Sequence, residues 1–99
     1  MNFAAILGFD WDDGNAFKSA EKHSVSQAEA EQVFADERVI VTGDAAHSHI
    51  ELRFHALGHT VEGRLLQITF TLRQADTKIR MISARPANRK ERAIYEAET

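Results

Sequence analysis

The sequence contains no cysteine, so neither a disulfide framework nor a thiolate metal site can form. It contains one proline and five glycines, and nothing in its composition marks a disordered or fibrous chain. It has no apolar run long enough to span a bilayer. The N-terminal MNFAAILGFDWDDG is too short for that and lacks the basic flank and cleavage signal of a secretory leader. A soluble, unprocessed, cytoplasmic chain with no membrane partner is expected. There is no internal repeat, low-complexity tract or Gly/Ser linker. There is also no P-loop, dinucleotide fingerprint, nucleophile elbow or H-E-x-x-H, so the common nucleotide-binding, hydrolase and zinc-protease signatures are missing.

What is present is 99 residues, 43% hydrophobic and 27% charged. That fits one domain, residues 1–99, with a modest core. The net charge of −3 conceals a division. Residues 1–60 carry four Lys or Arg against ten Asp or Glu, whereas residues 61–95 carry eight against three. A basic half in an acidic chain suits a face built for phosphates or carboxylates, although solvated surface cations give the same count. The densest stretch, residues 79–96, holds four Arg and one Lys.

Phe9 and Trp11 alternate with Asp10 and Asp12, the period of a short strand. Asp12 or Asp13 can cap a helix running to about Lys22, with Ala16, Phe17 and Ala20 on one side. Ser26-Gln27-Ala28-Glu29 is a capping box that opens a second helix to about Ala35, burying Val33 and Phe34. From Arg38 the period becomes two. Strands are expected over 38–42, 49–57, 64–73 and 78–84, with Gly58 and Gly63 bracketing one turn and Gln74–Thr77 forming another. Ile50, Leu52, Phe54 and Ala56 share one face of their strand; Leu66, Ile68, Phe70 and Leu72 share one face of the next. Pro86 suits the first turn of a C-terminal helix. The order β-α-α-β-β-β-β-α predicts an α+β fold, an antiparallel sheet with two N-terminal helices and a C-terminal helix. The polar strand faces, with Glu51, Arg53, His55, Thr69, Thr71 and Arg73, are expected to meet solvent or a ligand.

Five histidines raise the question of a metal. His47, His49, His55 and His59 are the densest group, but loop and turn positions do not hold three or four ligands rigidly, so no metal site is expected. Lys22-His23 closes the first helix. The pair serves either as cations favoured by the helix dipole, or as a phosphate-binding charge and a proton-transfer group. Arg80 and Arg85 flank Ile82-Ser83-Ala84, where the pleat prefers β-branched and aromatic residues. Arginine makes two parallel hydrogen bonds to a phosphate and stabilises a phosphorane-like state; a structural ion pair with the acidic half is the alternative. Five residues apart, the two point to opposite faces of a regular strand, so a bend is needed to bring both to one site. Arg85, Arg89 and Arg92 recur at helical spacing, a basic stripe able to track a nucleic-acid backbone. Tyr95, four residues from Glu91, suits either core packing or stacking on a base.

Two blocks of sequence, in order and at matching spacing, resemble the BrnT family of toxins. The first is Phe9-x-Trp11-Asp12, Ala16, Lys22-His23-x-Val25-Ser26, Glu29-Ala30 and Val33-Phe34. The second is Glu51-x-Arg53, Gly58, Gly63-Arg64, Thr71-x-Arg73, Ile79-Arg80-x-Ile82-Ser83-Ala84-Arg85 and Glu91-Arg92-x-x-Tyr95. The likeness spans about residues 7–96. It implies the toxin half of a bacterial type II toxin–antitoxin pair with a compact RelE-like α+β fold. Such a toxin is a metal-independent endoribonuclease without a cofactor. It cuts RNA, on or off the ribosome, by attack of a ribose 2′-hydroxyl through a 2′,3′-cyclic phosphate, and inhibits translation. The resemblance also implies a small BrnA-like antitoxin, which neutralises the toxin and makes the operator DNA contact.

On this resemblance Arg80 and Arg85 supply cationic stabilisation, Lys22 or His23 handles a proton, and Tyr95 positions the substrate. Arg64, Arg73, Arg89 and Arg92 then bind RNA. Family members usually have Gly where Ser24 stands, and a left-handed turn costs a serine more. The competing class is a non-catalytic nucleic-acid-binding or protein-interaction module using the same basic face.

Overall fold

Five strands form one sheet in the order β1-β5-β4-β3-β2. The structure, a computed structural model, describes residues 3–12, 18, 20–47 and 51–98. The strands are β1 (Gly8–Asp10), β2 (Ile40–Gly43), β3 (Phe54–His59), β4 (Leu65–Arg73) and β5 (Lys78–Pro86). Helix α1 closes over residues 20–23, α2 spans Gln27–Gln32 with a 3-10 extension over Val33–Ala35, and α3 spans Arg89–Glu98. The class is α+β, in the expected element order. Ala16, Phe17 and the alternative cap Asp13 lie outside the described residues.

The capping box forms as the sequence requires. The Glu29 amide donates to Ser26 Oγ at 3.1 Å, and Glu29 Oε1 accepts from the Ser26 amide at 3.1 Å. Three hairpins run antiparallel from β2 to β5. β1 departs from that pattern: it lies parallel to β5, with Phe9 opposite Ile79. Hairpin logic pairs neighbours in sequence, so it could not place a strand whose partner lies about seventy residues on. Phe9 packs against the same apolar cluster as Ile79, and that shared burial fixes the pairing.

Boundaries also move at β3, β5 and α3. β3 starts at Phe54 rather than 49, and Leu52 is 68% exposed instead of facing the core. The strand then runs through Gly58 to His59. A Cβ at Gly58 would lie 3.1 Å from both Val33 and Asp36 side-chain atoms, so the glycine permits close approach of the chain after α2. β5 continues to Pro86, which sits opposite Leu66 and is not in a helix. Helix α3 starts after Asn88 instead: Asn88 Oδ1 accepts from the Glu91 amide at 2.8 Å, and Glu91 Oε1 accepts from the Asn88 amide at 2.9 Å.

The main core fills one sheet face. Leu66, Ile68, Phe70, Ile79, Met81 and Ala84 meet Val25, Ala30 and Val33, all essentially buried. Phe70 and Phe34 meet edge to face at 5.0 Å, and Phe54 stacks on Phe70 at 5.5 Å. A smaller core of Leu57, Leu65 and Tyr95, with Ile40 and Ala87 against it, docks α3 on the other face. The rest of that second face carries the polar side chains.

Candidate functional site

A β-bulge decides which side chains reach the second face. Thr69 pairs with Ser83 but Phe70 pairs with Met81, so Ile82 is an extra residue on β5. The buried positions shift phase accordingly, from Ile79 and Met81 to Ala84. Arg80 therefore pairs with Thr71, and Arg85 with Gln67, on one face. The bend that the sequence required is this bulge. Without it the two arginines would project to opposite sides.

Arg80 lies beside β1. Its guanidinium is 3.4 Å from Asp12 Oδ2 and 3.8 Å from Glu51 Oε1, both long for a charge-assisted bond. Arg73 makes the shorter pair to Glu51 at 3.0 Å, and Lys78 reaches Asp10 at 3.2 Å. Asp10, Trp11, Asp12, Arg73, Gln74 and Arg80 surround a cleft of about 620 Å³. Thr71 beneath it is buried and donates to the Leu52 carbonyl at 2.6 Å, which holds the segment bearing Glu51 against this face.

Arg85 is more committed. Both of its terminal nitrogens bond Glu91, each at 2.8 Å, tying β5 to the first turn of α3. The Arg85 hydrogen bonds oppose the effect of burial and hold the Glu91 carboxyl below the usual carboxylate range; Glu91 in turn pushes the guanidinium up. Because Arg85 belongs to β5, the stripe expected with Arg89 and Arg92 does not run along one helix. Arg89 and Arg92 are exposed on α3.

Other expected site residues lie elsewhere. The Arg64 guanidinium donates to the Ser24 carbonyl at 2.7 Å, the His23 carbonyl at 3.1 Å and Glu29 at 3.0 Å. These partners belong to the α1–α2 turn and α2, in the layer covering the opposite face. The Ser26 amide and Arg64 hold the Glu29 carboxyl below its ordinary value. Lys22 is exposed and His23 half-buried at the end of α1, where the His23 carbonyl meets Arg64, and among the described residues no hydrogen bond or ion pair joins either to Arg80 or Arg85. Ser24 adopts φ 54°, the left-handed turn anticipated for it.

Tyr95 is 4% exposed, and its hydroxyl donates to Asp36 Oδ2 at 2.6 Å. Its ring meets His59 edge-on at 4.8 Å, so its face is spent in the small core rather than offered to a base. Burial, then the Asp36 hydrogen bond, pushes its phenol up to about 12. Burial of Asp36 works against ionisation, but donors from Tyr95, His59 and Arg38 outweigh it and hold the carboxyl below its ordinary value.

Sequence reasoning did not single out the partners that shape this face: Glu51 between Arg73 and Arg80, Glu91 on Arg85, and Asp44 on His55, where Oδ2 lies 3.0 Å from Nε2. Period two put Glu51 and His55 on a polar face, but cross-strand register was needed to bring them to the arginines. Among the described residues no three His, Asp or Glu side chains converge as a metal site; His49 and the His47 side chain lie outside them. Among the described residues, too, no helix is long and apolar enough to cross a membrane.

Residues 11–91 match the family described as the ribonuclease toxin BrnT of type II toxin–antitoxin systems. Among solved structures, the 1.1 Å crystal structure of the Brucella abortus ribonuclease toxin BrnT superposes with a TM-score of 0.64. The overlap covers 84% of this chain and 99% of that one at 19% identity, which is a likeness of fold. No curated protein matches the sequence at a significant level.

Proposed function

The chain belongs to the BrnT family of ribonuclease toxins of type II toxin–antitoxin systems, and from that premise we propose that it cuts RNA at the second face of its sheet. The observation that carries this reading is the bulge, which sets Arg80 and Arg85 on the same face with Arg73 beside them. The reaction is attack of a ribose 2′-hydroxyl on the adjacent phosphorus, giving a 2′,3′-cyclic phosphate and a free 5′-hydroxyl. Negative charge grows on the non-bridging phosphate oxygens, and guanidinium groups meet it without a metal. Arg80 is the principal cation, because its carboxylate contacts are long and a phosphate can displace them. Arg73 and the exposed Arg89 and Arg92 bind the flanking backbone. Arg85 contributes its charge while anchored on Glu91.

A ribonuclease toxin of a type II pair has an antitoxin partner and an RNA substrate. We assign the antitoxin to the BrnA-like class, with operator DNA bound only through it, and the cellular outcome to inhibition of translation. The test is incubation of ribosome-free and ribosome-bound RNA in EDTA with the partner-free protein, followed by analysis of the new ends. Cyclic-phosphate or 3′-phosphate ends are expected, and they should vanish in Arg80→Ala. Salt-sensitive RNA binding with no new ends on either substrate would replace this reading with a binding module.

A further inference from the structure

The register of the sheet sets what lies between the two arginines. His55, Thr69 and Ser83 form one row across β3, β4 and β5. On β4 this row lies between Thr71, opposite Arg80, and Gln67, opposite Arg85. Successive rows on one face are ~7 Å apart and neighbouring strands ~4.8 Å apart. His55 thus stands in the row midway between the arginines, two strands across from them.

Both ring nitrogens are engaged. Asp44 Oδ2 lies 3.0 Å from Nε2, and Thr69 Oγ1 lies 3.0 Å from Nδ1. A carboxylate only accepts, so Nε2 carries the hydrogen. In the neutral ring Nδ1 is then the acceptor, bonded by the Thr69 hydroxyl. The Asp44 side chain is 10% exposed and that of His55 28%, so the carboxylate is sheltered while the ring remains reachable. The ring also lines a hollow of about 280 Å³ with Gln67, Lys90 and Glu91, which gives room for a sugar.

A general base needs a tautomer fixed by a buried acceptor and a basic nitrogen turned toward a hydroxyl. Resting on the ribonuclease reading, we infer that His55 removes the proton from the attacking 2′-hydroxyl, with Asp44 as a positioning residue. The substrate hydroxyl replaces Thr69 as donor to Nδ1, and its proton moves to that nitrogen. The 2′-oxygen's electron pair forms the new P–O bond. The bond to the 5′-oxygen breaks, its electron pair leaves on that oxygen, and a water molecule supplies the proton. The imidazolium, held by Asp44, returns its proton to solvent. This assignment takes the proton-transfer role from the α1 terminus, which lies in the other layer, to the face that holds the arginines.

Among the described residues, the charged groups facing the ring are Asp44 at Nε2, Glu91 from α3 and, beyond Glu91, Arg85; Lys90 lines the same hollow. The experiment is the pH dependence of cleavage for the wild-type, His55→Ala, His55→Gln and Arg80→Ala proteins, each checked for folding by thermal melt. His55→Gln covers the case in which the alanine protein does not fold. The wild-type rate is expected to climb with pH, because a general base must first lose its proton. The His55 variants should fall by about 10²–10⁴-fold and lose that rising limb, and added imidazole should restore part of the alanine variant's rate. His55 variants that cut within about threefold of wild type with the limb intact, while Arg80→Ala is dead, overturn the inference alone. A wild-type protein that cuts neither free nor ribosome-bound RNA overturns the ribonuclease reading, and this inference with it.

Discussion

Arg64 and Arg80 have the same exposure, 33% of each side chain, yet they sit in opposite electrostatic situations. Arg64 makes three bonds of 2.7 to 3.1 Å, two of them to main-chain carbonyls. Among the described residues, Arg80 has only the 3.4 and 3.8 Å approaches to Asp12 and Glu51 within its cleft. What separates a structural arginine from one that can take a phosphate is therefore the saturation of its donors, not its burial. The two sheet faces follow the same division. One is sealed by Val25, α2 and the phenylalanine cluster; the other keeps Arg80 loosely paired beside acids that RNA can displace, with Arg85 anchored on Glu91.

The largest effect that would test this contrast is Arg80→Ala. Cleavage should drop by about 10²–10³-fold, because a cation aimed at developing charge is lost, with little change in melting temperature. Arg64→Ala should do the reverse. It removes the donors to the His23 and Ser24 carbonyls and to Glu29, which keeps its Ser26 bond, and should cost about 1.5–3 kcal/mol in denaturant unfolding with activity per folded molecule preserved. Tyr95→Phe removes one charge-assisted bond to Asp36 and should cost about 1–2 kcal/mol near neutral pH.

That last variant also carries a pH signature. The folded phenol is raised to about 12 from 10.0, so its contribution is complete below pH 10 and is lost as pH rises through 10 to 12. The variant's extra alkaline loss should be correspondingly small. At the acid end the sign is opposite. Asp36, Glu29 and Glu91 are all held below their ordinary values of 3.8 and 4.5, so their contributions are present above those values and fade as pH falls through them. The melting temperature should therefore be level above about pH 5 and drop below it. The smallest effect expected is a gain. Ser24→Gly relieves a positive φ of 54° and should stabilise by about 0.5 kcal/mol, after subtracting glycine's greater unfolded freedom.

Much of the frame was legible because it is written locally. The capping box at Ser26 and Glu29, the alternation through β4, the turn at Gln74–Thr77 and the left-handed strain at Ser24 each depend on a few adjacent residues. Non-local features were not legible. The parallel pairing of β1 with β5 and the bulge at Ile82 arise from core packing across the sheet. The site suffered most from this. The arginines were visible as residue types, but whether they shared a face depended on one inserted residue. Tyr95 and Arg64 looked equally available in sequence and became structural only through distant partners, Asp36 and the His23–Ser24 carbonyls. His55 looked like one histidine among five until register set it beside Thr69 and Asp44.

The central claim is that the second sheet face, through Arg80, is where RNA is cut, while Arg64 holds the fold. The most direct measurement is the single-turnover cleavage rate of Arg80→Ala and Arg64→Ala side by side on one RNA, each divided by the folded fraction from its own melt. The expected result is a rate near wild type for Arg64→Ala and a loss of about 10²-fold or more for Arg80→Ala. A folded Arg80→Ala protein that cuts as fast as wild type, with the loss falling on Arg64→Ala instead, would contradict the account.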